Sequence, residues 1–173
     1  LAGFDESELH FVTIMHSHEG FRFDPNAKTS EFQSRMESAL HGSDAAASGL
    51  MEIQPSLDSG SVGLDFHHHG VIGTRMSRNE LRRRLHQVWP ESGQVVIKDV
   101  DPDLGGCSGI GSYACKERIL IPPEVAEVES ASEIALQMML IWSSWKLEDR
   151  HIVVGCDRMT MTPVEPKQAH RNA

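Results

Sequence analysis

Tyrosine occurs once in the 173 residues, at position 113, so chemistry that needs a phenol has a single place to go. Cysteine is almost as scarce. Cys107, Cys115 and Cys156 are odd in number and lack zinc-ribbon spacing, which suits a reducing cytosol better than a disulfide framework. No apolar run reaches the ~18 residues of a membrane span. The longest, Ile134 to Trp142, is interrupted by Gln137. No charged segment followed by an apolar one opens the sequence, so no secretory signal is expected. An excess of basic charge is also missing. Lys and Arg total 16 against 25 Asp and Glu, a net charge of -9, which argues against a general nucleic-acid coat protein but not against a local basic patch. No Gly-x-x-x-x-Gly-Lys-Ser/Thr motif occurs, so the sequence carries no P-loop helicase of its own.

What is present suits one globular domain. A composition 39% hydrophobic and 24% charged can support a real core at this length. Residues 1–156 read as that domain and 157–173 as a polar, proline-containing tail. Leu9 to His16 is rich in β-formers and reads as the first strand, with His16 to Gly20 as a loop. Asp24-Pro25-Asn26 signals a turn, and Ser30 to His41 carries Phe32, Met36, Ala39 and Leu40 at helical spacing. Leu50 to Gln54 reads as a short strand ended by Pro55, and Ser56 to Gly63 as a hairpin connection into a strand from Val62 to Ile72. Ser77 and Glu80 form a capping-box pattern before a helix that runs to Trp89. Gly93 to Val100 reads as a strand, Ile110 to Leu120 as a helix, Ala131 to Leu147 as a second helix and His151 to Cys156 as a last strand. The order is βαββαβ followed by helices. It predicts an α+β fold with a ferredoxin-like or RRM-like antiparallel sheet and an additional C-terminal helix.

The chemistry concentrates in Phe66-His67-His68-His69-Gly70-Val71-Ile72. Side chains alternate along a strand, so His67 and His69 share one face and His68 takes the other, as a packed core residue. Neutral imidazole is a common metal ligand. Glu52 sits on the neighbouring strand of the hairpin, within reach of a metal between the two histidines; Asp65 is the runner-up. His16 and His18 are further, weaker candidates. A His-His-Glu set leaves open positions for a phosphate oxygen and water. Tyr113 and Lys116 are spaced i, i+3, so on a helix the phenol and the ammonium share a face. A cation beside a phenol favours the phenolate, and it also stabilises charge on a phosphate under attack. Arg75, Arg78, Arg82, Arg83 and Arg84 form the one dense basic cluster. It reads either as a track for a DNA backbone or as a solvated helix face.

Three of these stretches, in this order, resemble the motifs of the HUH endonucleases, specifically the rolling-circle replication initiators. Phe11-Val12-Thr13-Ile14 matches the apolar first strand. His67-His68-His69-Gly70-Val71-Ile72 matches the histidine strand, with His68 where a hydrophobe is usual. Tyr113 to Lys116 matches the Tyr-x-x-Lys helix. The resemblance spans residues 9 to 120. Relaxases place the tyrosine before the histidines, and small single-tyrosine transposases usually lack the lysine.

The resemblance implies a metal-dependent nuclease that nicks and rejoins single-stranded DNA at a replication origin. Glu52, His67 and His69 would hold a divalent metal, Mn²⁺ or Mg²⁺ in preference to Zn²⁺. Tyr113 would attack the scissile phosphate, giving a 5'-phosphotyrosyl link and a free 3'-OH, with Lys116 stabilising charge. A helicase domain or partner outside this sequence is implied, as is residence in the cytoplasm, or in the host nucleus for a eukaryotic virus. Two readings from other classes compete. A noncatalytic RRM-like module would stack bases on sheet aromatics, for which Phe11 and Phe66 are the candidates. A hydrolase of small phosphoesters would leave Tyr113 structural.

Overall fold

The computed structural model describes residues 1–156 apart from 2, 59, 92 and 101–120. It is an α+β domain built on a five-stranded antiparallel sheet. The strands are β1 (Leu9–Glu19), β2 (Ala46–Asp58), β3 (Ser61–Gly73), β4 (Val95–Asp99) and β5 (His151–Val154), in the order β4-β1-β3-β2-β5. Helix α1 (Pro25–Leu40) joins β1 to β2, and α2 (Arg78–Val88) joins β3 to β4. Short α3 (Pro123–Ala126), α4 (Ala131–Ser144) and short α5 (Leu147–Arg150) precede β5. None of the described helices is long and apolar enough to cross a membrane.

One face of the sheet is apolar and covered by helices. Val12 and Ile14 of β1, Met51 and Ile53 of β2, and Leu64, Phe66 and Ile72 of β3 share a core with Phe32 and Met36 of α1, Leu81 and Leu85 of α2, and Ile134 and Met138 of α4. The alternate residues, Thr13, Glu52, His67 and His69 among them, therefore fall on the opposite face. A one-residue slip of β3 would turn Phe66 and Ile72 out and the two histidines in. Burying a side chain of the size of Phe66 is worth roughly 1.5–3 kcal/mol, so the same burial that builds the core fixes which histidines face away from it.

Several boundaries differ from the sequence reading. β1 continues through His16-Ser17-His18 because β3 goes on pairing with it, past a bulge between Met15 and Ser17. Helix α1 begins at Pro25, where Asp24 caps the Asn26 amide and proline suits a first-turn position with no amide to lose. Pro55 does not end β2. It pairs with Leu64 on one side, while β5 covers only Ala47 to Leu50 on the other. At Pro55 the strand is an edge, where a missing N–H breaks no ladder bond. The β2–β3 hairpin closes tightly between Asp58 and Ser61, with Gly60 at φ 81°. Ser77 caps α2 by accepting from the Glu80 amide, but the Glu80 carboxylate takes Arg83 and Arg84 in place of the reciprocal bond. The expected helix from Ile110 to Leu120 and the tail from 157 lie outside the described residues.

Candidate metal centre

Strand register assembles the candidate site. Glu52 is directly opposite His67, and Thr13 is directly opposite His69. The His67 and His69 rings stand parallel, 6.0 Å apart with 2° between their planes. Nε2 of His69 is 3.7 Å from a Glu52 carboxylate oxygen. Its other nitrogen, Nδ1, is 3.1 Å from the Thr13 hydroxyl. Nε2 of His67 is 4.0 Å from Asp65, whose other oxygen meets His18 Nδ1 at 2.6 Å. The donors thus stand as two neighbouring pairs on one surface, Glu52 with His69 and Asp65 with His67. Among the described residues no three His, Cys, Asp or Glu side chains already converge as a metal-binding group.

Burial sets the charge states. It pushes His69 down to about 4, with repulsion from His67 adding to the effect. It also pushes His67 below the usual histidine range, against a weaker pull from Asp65. Both imidazoles are therefore neutral at pH 7, with a lone pair to offer, which is the state a ligand needs. The same desolvation raises Glu52, partly offset by the Arg150 guanidinium. His67 Nε2 is buried with no hydrogen-bond partner. Two neutral imidazoles, a partly desolvated carboxylate and an unsatisfied His67 ring nitrogen make a donor set that fits a divalent ion.

The remaining histidines separate cleanly. His68 is fully buried on the core face, stacked on Phe32 at 4.7 Å between ring centres. Its room comes from Gly49 and Gly70, which face each other across β2 and β3; a Cβ on either would come within 2.6 Å of the His68 ring. His16 is also buried, edge-on to Phe32, and its Nδ1 accepts from the Trp89 indole N–H at 3.4 Å. It is a core residue, away from the site face. His18 reaches that face through Asp65. Ser56 approaches His18 at the same Nδ1, at 3.2 Å, so Ser56, His18 and Asp65 do not form a relay that uses both ring nitrogens.

Tyr113 and Lys116 lie outside the described residues. The arginines sit on or beside α2, which packs on the core side of the sheet, in the layer opposite His67 and His69. Arg83 and Arg84 pair with Glu80, Arg78 with Asp99, and Arg75 with Glu8 and Asp44. Arg82 is exposed and enters none of the ion pairs among the described residues. Two partners of the site had no signal in the one-dimensional pattern, the Thr13 hydroxyl and Arg150, which lies over the Trp142 ring at 4.2 Å; His18 and Asp65 were each read as candidate ligands, but not as partners of one another. Only the pairing of β1 with β3, which sets Thr13 against His69 and His18 against Asp65, could have pointed to those neighbours.

Comparison with protein-family models, with curated protein sequences and with solved structures gives no match to this chain.

Proposed function

We propose that this protein is a metal-dependent DNA strand transferase of the HUH type, nicking and rejoining single-stranded DNA as a rolling-circle initiator does. The observation that carries the reading is the common face of Glu52, His67 and His69 on two paired strands, with both imidazoles held neutral. The succession β1-α1-β2-β3-α2-β4 with spatial order β4-β1-β3-β2 supports the ferredoxin-like arrangement such a nuclease uses, with β5 added beside β2.

In this reading Glu52, His67 and His69 hold a divalent ion, Mn²⁺ or Mg²⁺. When bound, it supplies Lewis-acid polarisation of a phosphate oxygen. The Tyr113 phenol is the nucleophile: its oxygen bonds to phosphorus as the bond to the departing 3'-oxygen breaks, and the phenol proton leaves. Lys116 favours the phenolate and offsets charge on the phosphate. The strand end stays on Tyr113 as a phosphotyrosyl ester until a 3'-OH attacks it and reseals the DNA. The partners are single-stranded DNA at a replication origin and a helicase supplied by another domain or chain, in the cytoplasm or a host nucleus.

The RRM-like alternative loses one of its two stacking residues, because Phe66 points into the core at 0% exposure. Phe11 remains on the site face, beside His69.

The test is incubation with Mn²⁺ and a random-sequence single-stranded DNA library, followed by denaturing electrophoresis of the protein. A detergent-resistant adduct that disappears in Tyr113→Phe supports the reading. An adduct that persists in Tyr113→Phe assigns the nucleophile elsewhere, and no adduct with any strand in the library overturns the proposal.

A further inference from the structure

We infer that the outer face of α4 is a docking surface for a second copy of this chain, the two helices lying antiparallel about a two-fold axis that passes between Met139 and Leu140. The inference is independent of the metal reading.

Helix α4 is apolar on two sides. Ile134 and Met138 are buried in the core, with Ile141 and Trp142 packed against it. On the other side Leu136, Met139 and Leu140 are 57%, 58% and 61% exposed, and Leu147, just beyond the helix, is half exposed. Residues three and four apart are neighbours on a helix surface, so Leu136, Met139 and Leu140 form one stripe. A surface helix with one side in the core ordinarily carries polar residues on the other; one that is apolar all round is covered on both. Of the six large apolar side chains exposed among the described residues, four lie here. The exposure is therefore one patch rather than scatter, and such a patch marks an interaction site.

The charges at its two ends say what fits. Glu133 stands six residues before Met139 and Lys146 six residues after Leu140, both exposed. A two-fold axis at that midpoint brings Glu133 of each copy to Lys146 of the other, Met139 to Leu140, and Leu136 to Ser143. An isologous contact uses the same patch on both subunits, so one face supplies the apolar centre and two ion pairs at its rim. Lys146 already meets Glu148, but at 3.8 Å and with both side chains well exposed; such a pair contributes little and is readily exchanged. Antiparallel packing also sets the positive end of each helix dipole beside the negative end of the other. The core side of α4 covers the apolar face of the sheet, so the contact lies away from the face that carries His67 and His69.

Sedimentation equilibrium of the full chain reads the association, and circular dichroism checks that each variant is folded. The expected result is a dimer in the wild type and a folded monomer in Leu140→Glu, which places a carboxylate from each copy at the centre. Glu133→Lys and Lys146→Glu should each weaken dimerisation roughly tenfold, because each turns two attractive pairs repulsive. An equal mixture of these two variants should recover wild-type association, since their heterodimer regains both pairs. A wild type that is monomeric at millimolar concentration overturns the inference. Hydroxyl-radical labelling then separates a face covered by the chain itself, with Met139 protected, from one left for a different partner, with Met139 labelled. A dimer that persists in folded Leu140→Glu overturns it by placing the interface elsewhere. A mixture no tighter than the single variants overturns the antiparallel arrangement.

Discussion

At the scale of single residues, one physical effect acts on two kinds of histidine with different consequences. Desolvation keeps His67 and His69 neutral on the site face, where a lone pair is useful, and keeps His16 and His68 neutral in the core, where a charge would be costly. His16 is held down to about 4 by burial, with Arg35 and Lys28 adding to the effect and Glu31 and Glu19 opposing it. In the unfolded chain it titrates near 6.5, so as pH falls below that value the unfolded state takes up the proton first. The stability His16 contributes is present above pH 6.5 and is lost toward pH 4, at up to about 1.4 kcal/mol per pH unit. Urea midpoints measured from pH 7 to pH 4.5 should fall, and His16→Gln, which can still accept from Trp89, should flatten part of that slope. Glu52 works the other way: its raised pKa adds stability as pH falls, so Glu52→Gln should steepen the acid loss. An acid slope unaltered by His16→Gln would mean that this histidine is not kept neutral by the fold. The pair of Asp65 with His18 gives a further check. Asp65→Asn should weaken Mn²⁺ binding less than Glu52→Gln does, because one Asp65 oxygen is held by His18 and the other stands 4.0 Å from His67; equal losses would make Asp65 a ligand.

At the scale of elements, the β2–β3 hairpin is where core and site are made together. Gly49 and Gly70 leave the space that the His68 ring fills, so Gly70→Ala must push against the ring and the Ser48 carbonyl, each 2.6 Å from the new Cβ. It should cost about 1–3 kcal/mol by chemical denaturation, and wild-type stability in that variant would contradict the packing described. Helix α2 makes a different kind of test. Arg83 and Arg84 are held by Glu80 and Arg78 by Asp99, so Arg82 is the arginine of the helix outside the ion pairs among the described residues, and in the proposed reading it is the one to meet a phosphate. Arg82→Ala should lower the log–log salt slope of single-stranded DNA binding by about 0.7 and Arg83→Ala should not. No change in either would make the helix purely structural. The alternation in Phe66 to Ile72 made the site face legible in the sequence, because period-two burial survives into the fold. The facing position of Glu52 followed from the short hairpin. The extent of β2 was not legible, since Pro55 is tolerated only because β5 is short, and a strand's neighbours are invisible in its own residues. His16 looked like a loop residue for the same reason: the bulge that carries it into the core depends on β3.

At the scale of the whole molecule, the division of labour is between two faces of one sheet. The helices bury one face and fix the register, and that register lays two neutral imidazoles and a carboxylate side by side on the other. A protein with a net charge of -9 cannot rely on general attraction to DNA, so in the proposed reading a cation bound on this face would have an electrostatic role as well as a chemical one. The proposed function therefore stands or falls on whether the face binds a metal. The direct measurement is Mn²⁺ titration, by calorimetry and by electron paramagnetic resonance, of the wild type, Glu52→Gln, His67→Ala, His69→Ala and the His67→Ala/His69→Ala double variant, each checked for folding by circular dichroism. The account predicts one Mn²⁺ per chain in the wild type, a marked loss of affinity in each single variant and no site in the folded double variant. Wild-type Mn²⁺ affinity in the folded double variant would contradict it.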